Sequence, residues 1–179
     1  MSILAKLPEI PSTKLIPVFT INLKLKHDPL NIYSSNESNN TLNLAIIETG
    51  EIKTVKNELG LQFELNEIFG TDDLLIKNSI ETASLDCKLY GKTPKGNSVF
   101  IHYGGKVQLN EESVDIISEK KRDSDISKSY VTCNPTFKFD ENLESEYKWI
   151  EKENFIGRGR FVRDENGSLY VQYYIYIIR

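Results

Sequence analysis

Along residues 18–26, VFTINLKLK, apolar and polar side chains alternate one by one, putting Phe19, Ile21, Leu23 and Leu25 on one side of a period-two ladder. The pattern returns, broken by turn residues at hairpin spacing, through almost the whole chain, and a 3.6-residue period is nearly absent. A chain patterned this way folds as an antiparallel sandwich or barrel, not as packed helices. A barrel is favoured because a meander that closes on itself leaves no open sheet edge. The expected class is all-β: a closed or nearly closed antiparallel barrel, calycin- or lipocalin-like, of about seven to ten strands by the turn count, with one short helical element.

The turn signals set the expected element boundaries. TLNLAIIETGEIKTVKN, 41–57, reads as two strands about a turn at Thr49-Gly50, and Gly70-Thr71-Asp72-Asp73 reads as a break within 59–78. ETASLDCKLYG and NSVFIHYGGKVQL flank the turn Thr93-Pro94-Lys95-Gly96-Asn97, and Asn166-Gly167 marks a tight hairpin between the last two strands. NIYSSNESNN, 31–40, reads as a loop because its short polar side chains bury little, and EKKRDSDISK, 119–128, reads as a solvated charged loop. Residues 142–153 are the expected helical turn. In the closing strand the row Tyr170, Gln172, Tyr174, Tyr176 is expected to suit an interior wide enough for a ligand.

With 179 residues, one domain is expected, large enough to bury roughly 70% of its unfolded-chain surface. Residues 1–14 read as an N-terminal extension and 15–179 as the barrel. A formal net charge of −4 and a pI near 5.3 argue against a broad nucleic-acid footprint. No run approaches the roughly 20 apolar residues of a membrane span, and no signal peptide is evident, so a cytoplasmic location is expected.

Chemistry-bearing motifs are few. Cys87 and Cys133 form neither a CxxC pair nor a disulfide framework. His27 and His102 lack metal-ligand spacing, so no metal is expected. Gly157-Arg158-Gly159-Arg160 lacks the Lys-Ser/Thr of a phosphate loop, and its glycines read as relief of crowding in a bent strand. No GxSxG elbow occurs, so neither a cofactor nor a covalent hydrolase mechanism is indicated.

The ordered series GTDD at 70–73, SLDCKLYG at 84–91, KGNSVFIHYGG, NPTFKF at 134–139, YKWI at 147–150 and IGRGR at 156–160 resembles the domain-of-unknown-function 3237 family of small β-barrel proteins. That family carries GGADW-like, LDARY, FET and YxWLN motifs. The resemblance spans roughly residues 15–179. It matches Asp72 to the aspartate of GADW, Asp86 to that of LDARY, and Tyr147 and Trp149 to YxW. Asp73 stands where the family has tryptophan, Cys87 and Lys88 where it has alanine and arginine, and Glu151 where it has asparagine.

The candidate site follows from these residues. Asp86 shares a strand face with Ser84, Lys88 and Tyr90: either that row faces water, or it lines the barrel and Asp86 works as a proton-transfer group. Asp72 is either a turn residue or a second acid. Tyr103, His102, Trp149 and Tyr90 are the expected ligand-binding residues. The expected function is handling of an apolar or aromatic small molecule, with cofactor-free isomerisation, cyclisation or dehydration as the fitting chemistry. The competing reading is a non-catalytic structural or interaction module, a homo-oligomer included.

Overall fold

The computed structural model describes residues 12–179. Nine strands follow one another as β1 (Leu15–Leu25), β2 (Leu30–Ser35), β3 (Asn40–Thr54), β4 (Asn66–Lys77), β5 (Thr82–Lys92), β6 (Ser98–Gln108), β7 (Val131–Phe139), β8 (Phe155–Arg163) and β9 (Leu169–Ile178). All neighbours pair antiparallel in the order β1-β9-β8-β7-β6-β5-β4-β3, and β1 pairs back onto β3, closing an eight-stranded barrel. β2 is the extra strand, a hairpin arm on the first half of β3. Among the described residues no helix is long and apolar enough to cross a membrane.

β3 explains the closure. Its first half pairs with β2 and β4, its second half with β1, so one 15-residue strand passes from the flank of the sheet to the seam. The turn expected at Thr49-Gly50 is therefore absent. Gly50 lies inside the strand opposite Leu23, where a Cβ would strike the Leu23 side chain and the Asn22 carbonyl. The glycine marks a close approach of two strands, which sequence alone does not separate from a turn.

Other expectations meet a similar correction. The 31–40 segment is strand β2 followed by a turn; its side chains are mostly exposed, so it carries no alternating apolar signal and is held by backbone pairing to β3. GTDD does not break the chain but continues β4, with Gly70 at φ 152° against the backbone of Lys88 and Leu89. Residues 93–97 and 164–168 form the expected turns, with Gly96 and Gly167 at positive φ. The helical turn is a 3-10 segment, Ser145–Lys152.

The interior has two ends. One is plugged by aromatic rings: Phe63 meets Phe19, Phe137 and Tyr147 edge-on at 5.4, 5.2 and 5.3 Å between ring centroids. Such rings bury large areas, and edge-to-face pairs add specific attraction. The other end is capped by α1 (Glu111–Ile117), a helix with an Asn110 cap that accepts from the Ser113 N–H. Its Ile116 is fully buried in the barrel mouth.

Candidate functional site

Alternation along β4 decides where the acids go. Ile68, Asp72 and Leu74 point inward, whereas Phe69, Thr71 and Asp73 point outward. On β5 the inward row is Ala83, Leu85, Cys87 and Leu89, so Ser84, Asp86, Lys88 and Tyr90 face outward. Asp86 has a side chain 52% exposed, 2.8 Å from the Lys88 ammonium and 2.9 Å from Nε2 of His102. The Lys88 hydrogen bond, then that of His102, holds its carboxyl below the usual range. Of the two readings of this strand, the water-facing one describes the molecule, and Asp86 does not enter the barrel.

The expected ligand-binding residues divide three ways. His102 and Tyr90 lie outside with Asp86, in an aromatic row that runs Phe69, Tyr90, Phe100, His102 across three strands. Trp149 sits at the plugged end, its Nε1–H donating to the Gln62 carbonyl while its ring packs on Phe19 and Phe155. Tyr103 alone points into the barrel, 1% exposed. The closing strand is likewise reversed: Val171, Tyr173, Ile175 and Ile177 face the core, and Tyr170, Gln172, Tyr174 and Tyr176 face outward.

What the fold does bring together is a polar rung at mid-barrel. Asp72, Cys87 and Tyr103 are successive cross-strand partners on β4, β5 and β6. Tyr173 reaches the same level from β9, its ring 6.0 Å from that of Tyr103. Gly159 makes room for it, since a Cβ there would strike the Tyr173 ring, and Gly157 does the same for the Cys133 sulfur. The expectation that these glycines relieve crowding holds.

Burial governs the chemistry of the rung. It raises both thiols and both phenols well above their ordinary pKa, so Cys87 and Cys133 stay as thiols. Asp72 is pushed from 3.8 to about 7, first by burial and further by the charges of Asp73 and Asp86. Its Oδ1 and the Tyr103 hydroxyl have no hydrogen-bond partner, although both are buried. An unpaired buried polar atom costs about 1–3 kcal/mol, so two on one rung are unusual in a core that needs only to be filled.

Asp72 and Tyr173 also form the floor of a cavity of about 40 Å³, walled by Leu25, Ala45, Leu74, Val107, Ile117 and Phe161 and lying under α1. The cap over it is held by Arg163, which sequence reasoning did not single out. Its side chain is 4% exposed and pairs with Asp28 at 2.8 Å. Nε donates to the Ile116 carbonyl at 2.8 Å, Nη2 to that of Ile117 at 2.9 Å and Nη1 to that of Gly167 at 2.8 Å. No group of three or more histidine, cysteine or acidic side chains among the described residues is placed to hold a metal ion.

The family model described as "Protein of unknown function (DUF3237)" matches residues 13–178. The chain belongs to this family. No curated protein matches the chain. Solved structures share the barrel. A protein of unknown function from Rhodopseudomonas palustris is 19% identical with TM-score 0.70, covering 95% of this chain and 100% of its own. A protein of unknown function from Clostridium acetobutylicum is 15% identical with TM-score 0.65, covering 94% and 100%. A structure described as an enzyme from Penicillium herquei is 12% identical with TM-score 0.55, covering 98% and 100%. At such identities the likeness speaks for the fold.

Proposed function

We propose that the protein binds an apolar small molecule at the α1 end of the barrel and transfers a proton to or from it through Asp72, without a cofactor. The observation that carries this reading is a carboxyl with an unpartnered oxygen at the floor of an otherwise apolar cavity. A carboxyl pushed up to about 7 can act in either its acid or its base form near neutrality, where a general acid or base is most effective. Proton abstraction beside a carbonyl, the first step of isomerisation, dehydration and many cyclisations, needs that group and a water-poor cavity. Asp86, ionised and solvated outside, takes no part.

The space under the closed cap, about 40 Å³, suits a water-sized guest. A ring-bearing substrate therefore enters by displacement of α1, the helix over that mouth.

The test is exchange of the α-protons of 1-tetralone in D₂O, followed by NMR. The wild-type protein is expected to accelerate exchange above the buffer rate, increasingly as pH rises through about 7, where the Asp72 base form accumulates. Asp72→Asn abolishes the acceleration and Asp86→Asn leaves it intact. Equal rates for wild type and Asp72→Asn overturn the proposal.

A further inference from the structure

The wall of the cavity says which ligands its floor will take, an inference that rests on the site proposed above. Among the described residues the inward-facing charged groups at this end are Asp72 and Arg163. Arg163 is already committed: four of its five N–H donors are spent on three carbonyls and Asp28, and Glu119 lies 3.8 Å away. Among the described residues no free cation is therefore available inside to neutralise an anionic guest, and an anion there would be buried without a counter-charge and would meet a like charge whenever Asp72 is ionised. A wholly apolar guest fails differently, because it leaves Oδ1 of Asp72 buried and unpaired.

We infer that the ligand is a neutral apolar compound carrying one hydroxyl or enolisable carbonyl oxygen, seated with that oxygen on the Asp72 carboxyl and its apolar body on the Tyr173 ring, pointing towards α1. The hydroxyl of Tyr103, the second unpartnered polar group of the rung, sits one strand beyond Cys87, where a reoriented oxygen or an accompanying water would complete its bonding. Carboxylic acids, phosphorylated compounds and acyl thioesters of acidic carriers are excluded from the floor by the same argument.

Three bicyclic probes of nearly one shape separate the alternatives: 2-naphthol, naphthalene and 2-naphthoate, titrated into the full chain by calorimetry with thermal shift alongside. One hydrogen bond to a buried ionisable group is worth about 1.5–3 kcal/mol, which predicts about tenfold or more in favour of 2-naphthol over naphthalene. 2-Naphthoate is expected to bind weakest. Asp72→Leu, apolar and of similar size, is expected to erase the preference for 2-naphthol while retaining naphthalene. If 2-naphthoate binds tightest, or if 2-naphthol and naphthalene bind alike, the inference fails while the small-molecule reading stands. If none of the three binds, the cavity holds water alone and both fall.

Discussion

Asp72 and Asp73 are neighbours of the same type, yet one is buried at mid-barrel and the other faces outward beside Asp86, its cross-strand partner. The difference is the two-residue period of β4 and nothing in the side chains. It produces a pH-dependent stability that can be measured. The Asp72 carboxyl ionises at about 7 in the fold against an ordinary value of 3.8. Its contribution to stability is thus whole below about pH 4, is lost as pH rises towards 7 and stays lost above. Asp72→Asn removes the titration, so the variant is expected to gain stability relative to wild type between pH 5 and 8, by a few kcal/mol at most, and to show no gain at pH 4. Denaturant melts at stepped pH read this directly. Asp86, whose carboxyl is held low by Lys88 and His102, has the opposite sign: its contribution is present above its ordinary pKa and is lost in acid. The sequence made both aspartates visible as candidates, on resemblance and residue type. It did not reveal which one enters the barrel, because Leu85 and Cys87 flank Asp86 with an apolar row that serves equally well as the inner face of a filled core or the outer face of a wet one.

At the scale of elements, strands with one apolar face were legible and elements without one were not. β1 announces itself through Phe19, Ile21, Leu23 and Leu25, and the final hairpin through Asn166-Gly167. β2 has almost no buried side chain, so its only signal is a ladder of backbone bonds to β3, which leaves no trace in composition. α1 is seven residues long, too short for a period to show, and owes its place to tertiary packing of Ile116 and to Arg163. Isolated helices of this length are marginal in water, so α1 depends on that clamp. Arg163→Lys replaces a planar fork by a single ammonium that cannot serve three carbonyls and Asp28 at once. Hydrogen exchange is expected to quicken at the α1 amides by about tenfold or more, with the amides of β5 and β6 unchanged. Unchanged protection of α1 would mean that the helix does not hang on Arg163.

For the whole molecule, the two ends of the barrel divide stability from access. The plugged end concentrates Phe19, Phe63, Phe137, Phe155 and Trp149 in mutual contact, and the 3-10 segment that adds Tyr147 and Ile150 seals it. The α1 end leaves a small void, floored at mid-barrel by a rung with two unpaired polar atoms, Asp72 Oδ1 and the Tyr103 hydroxyl. The plug packs Phe19 of β1, Phe137 of β7 and Phe155 of β8 against one another, so damage there weakens the whole while a change at the cap opens one mouth. Phe63→Ala removes a fully buried ring that touches Phe19, Phe137, Phe139 and Tyr147 and leaves a cavity that the rigid strands cannot collapse into. A loss of about 3–5 kcal/mol is expected in urea unfolding, with the slope against denaturant unchanged. Ile116→Ala, at the other end, loses about 2–5 kcal/mol on its own packing if the cap unfolds with the barrel, and much less if α1 opens alone. The second outcome is expected, since α1 is only seven residues long and is joined to the rest by the buried Ser113 and Ile116, the partly buried Ile117 and one guanidinium. With Ile116→Ala, 2-naphthol is expected to associate faster than with wild type. With Phe63→Ala, under conditions where it stays folded, the rate is expected to be unchanged. Faster entry in Phe63→Ala would place the door at the aromatic end and reverse the division.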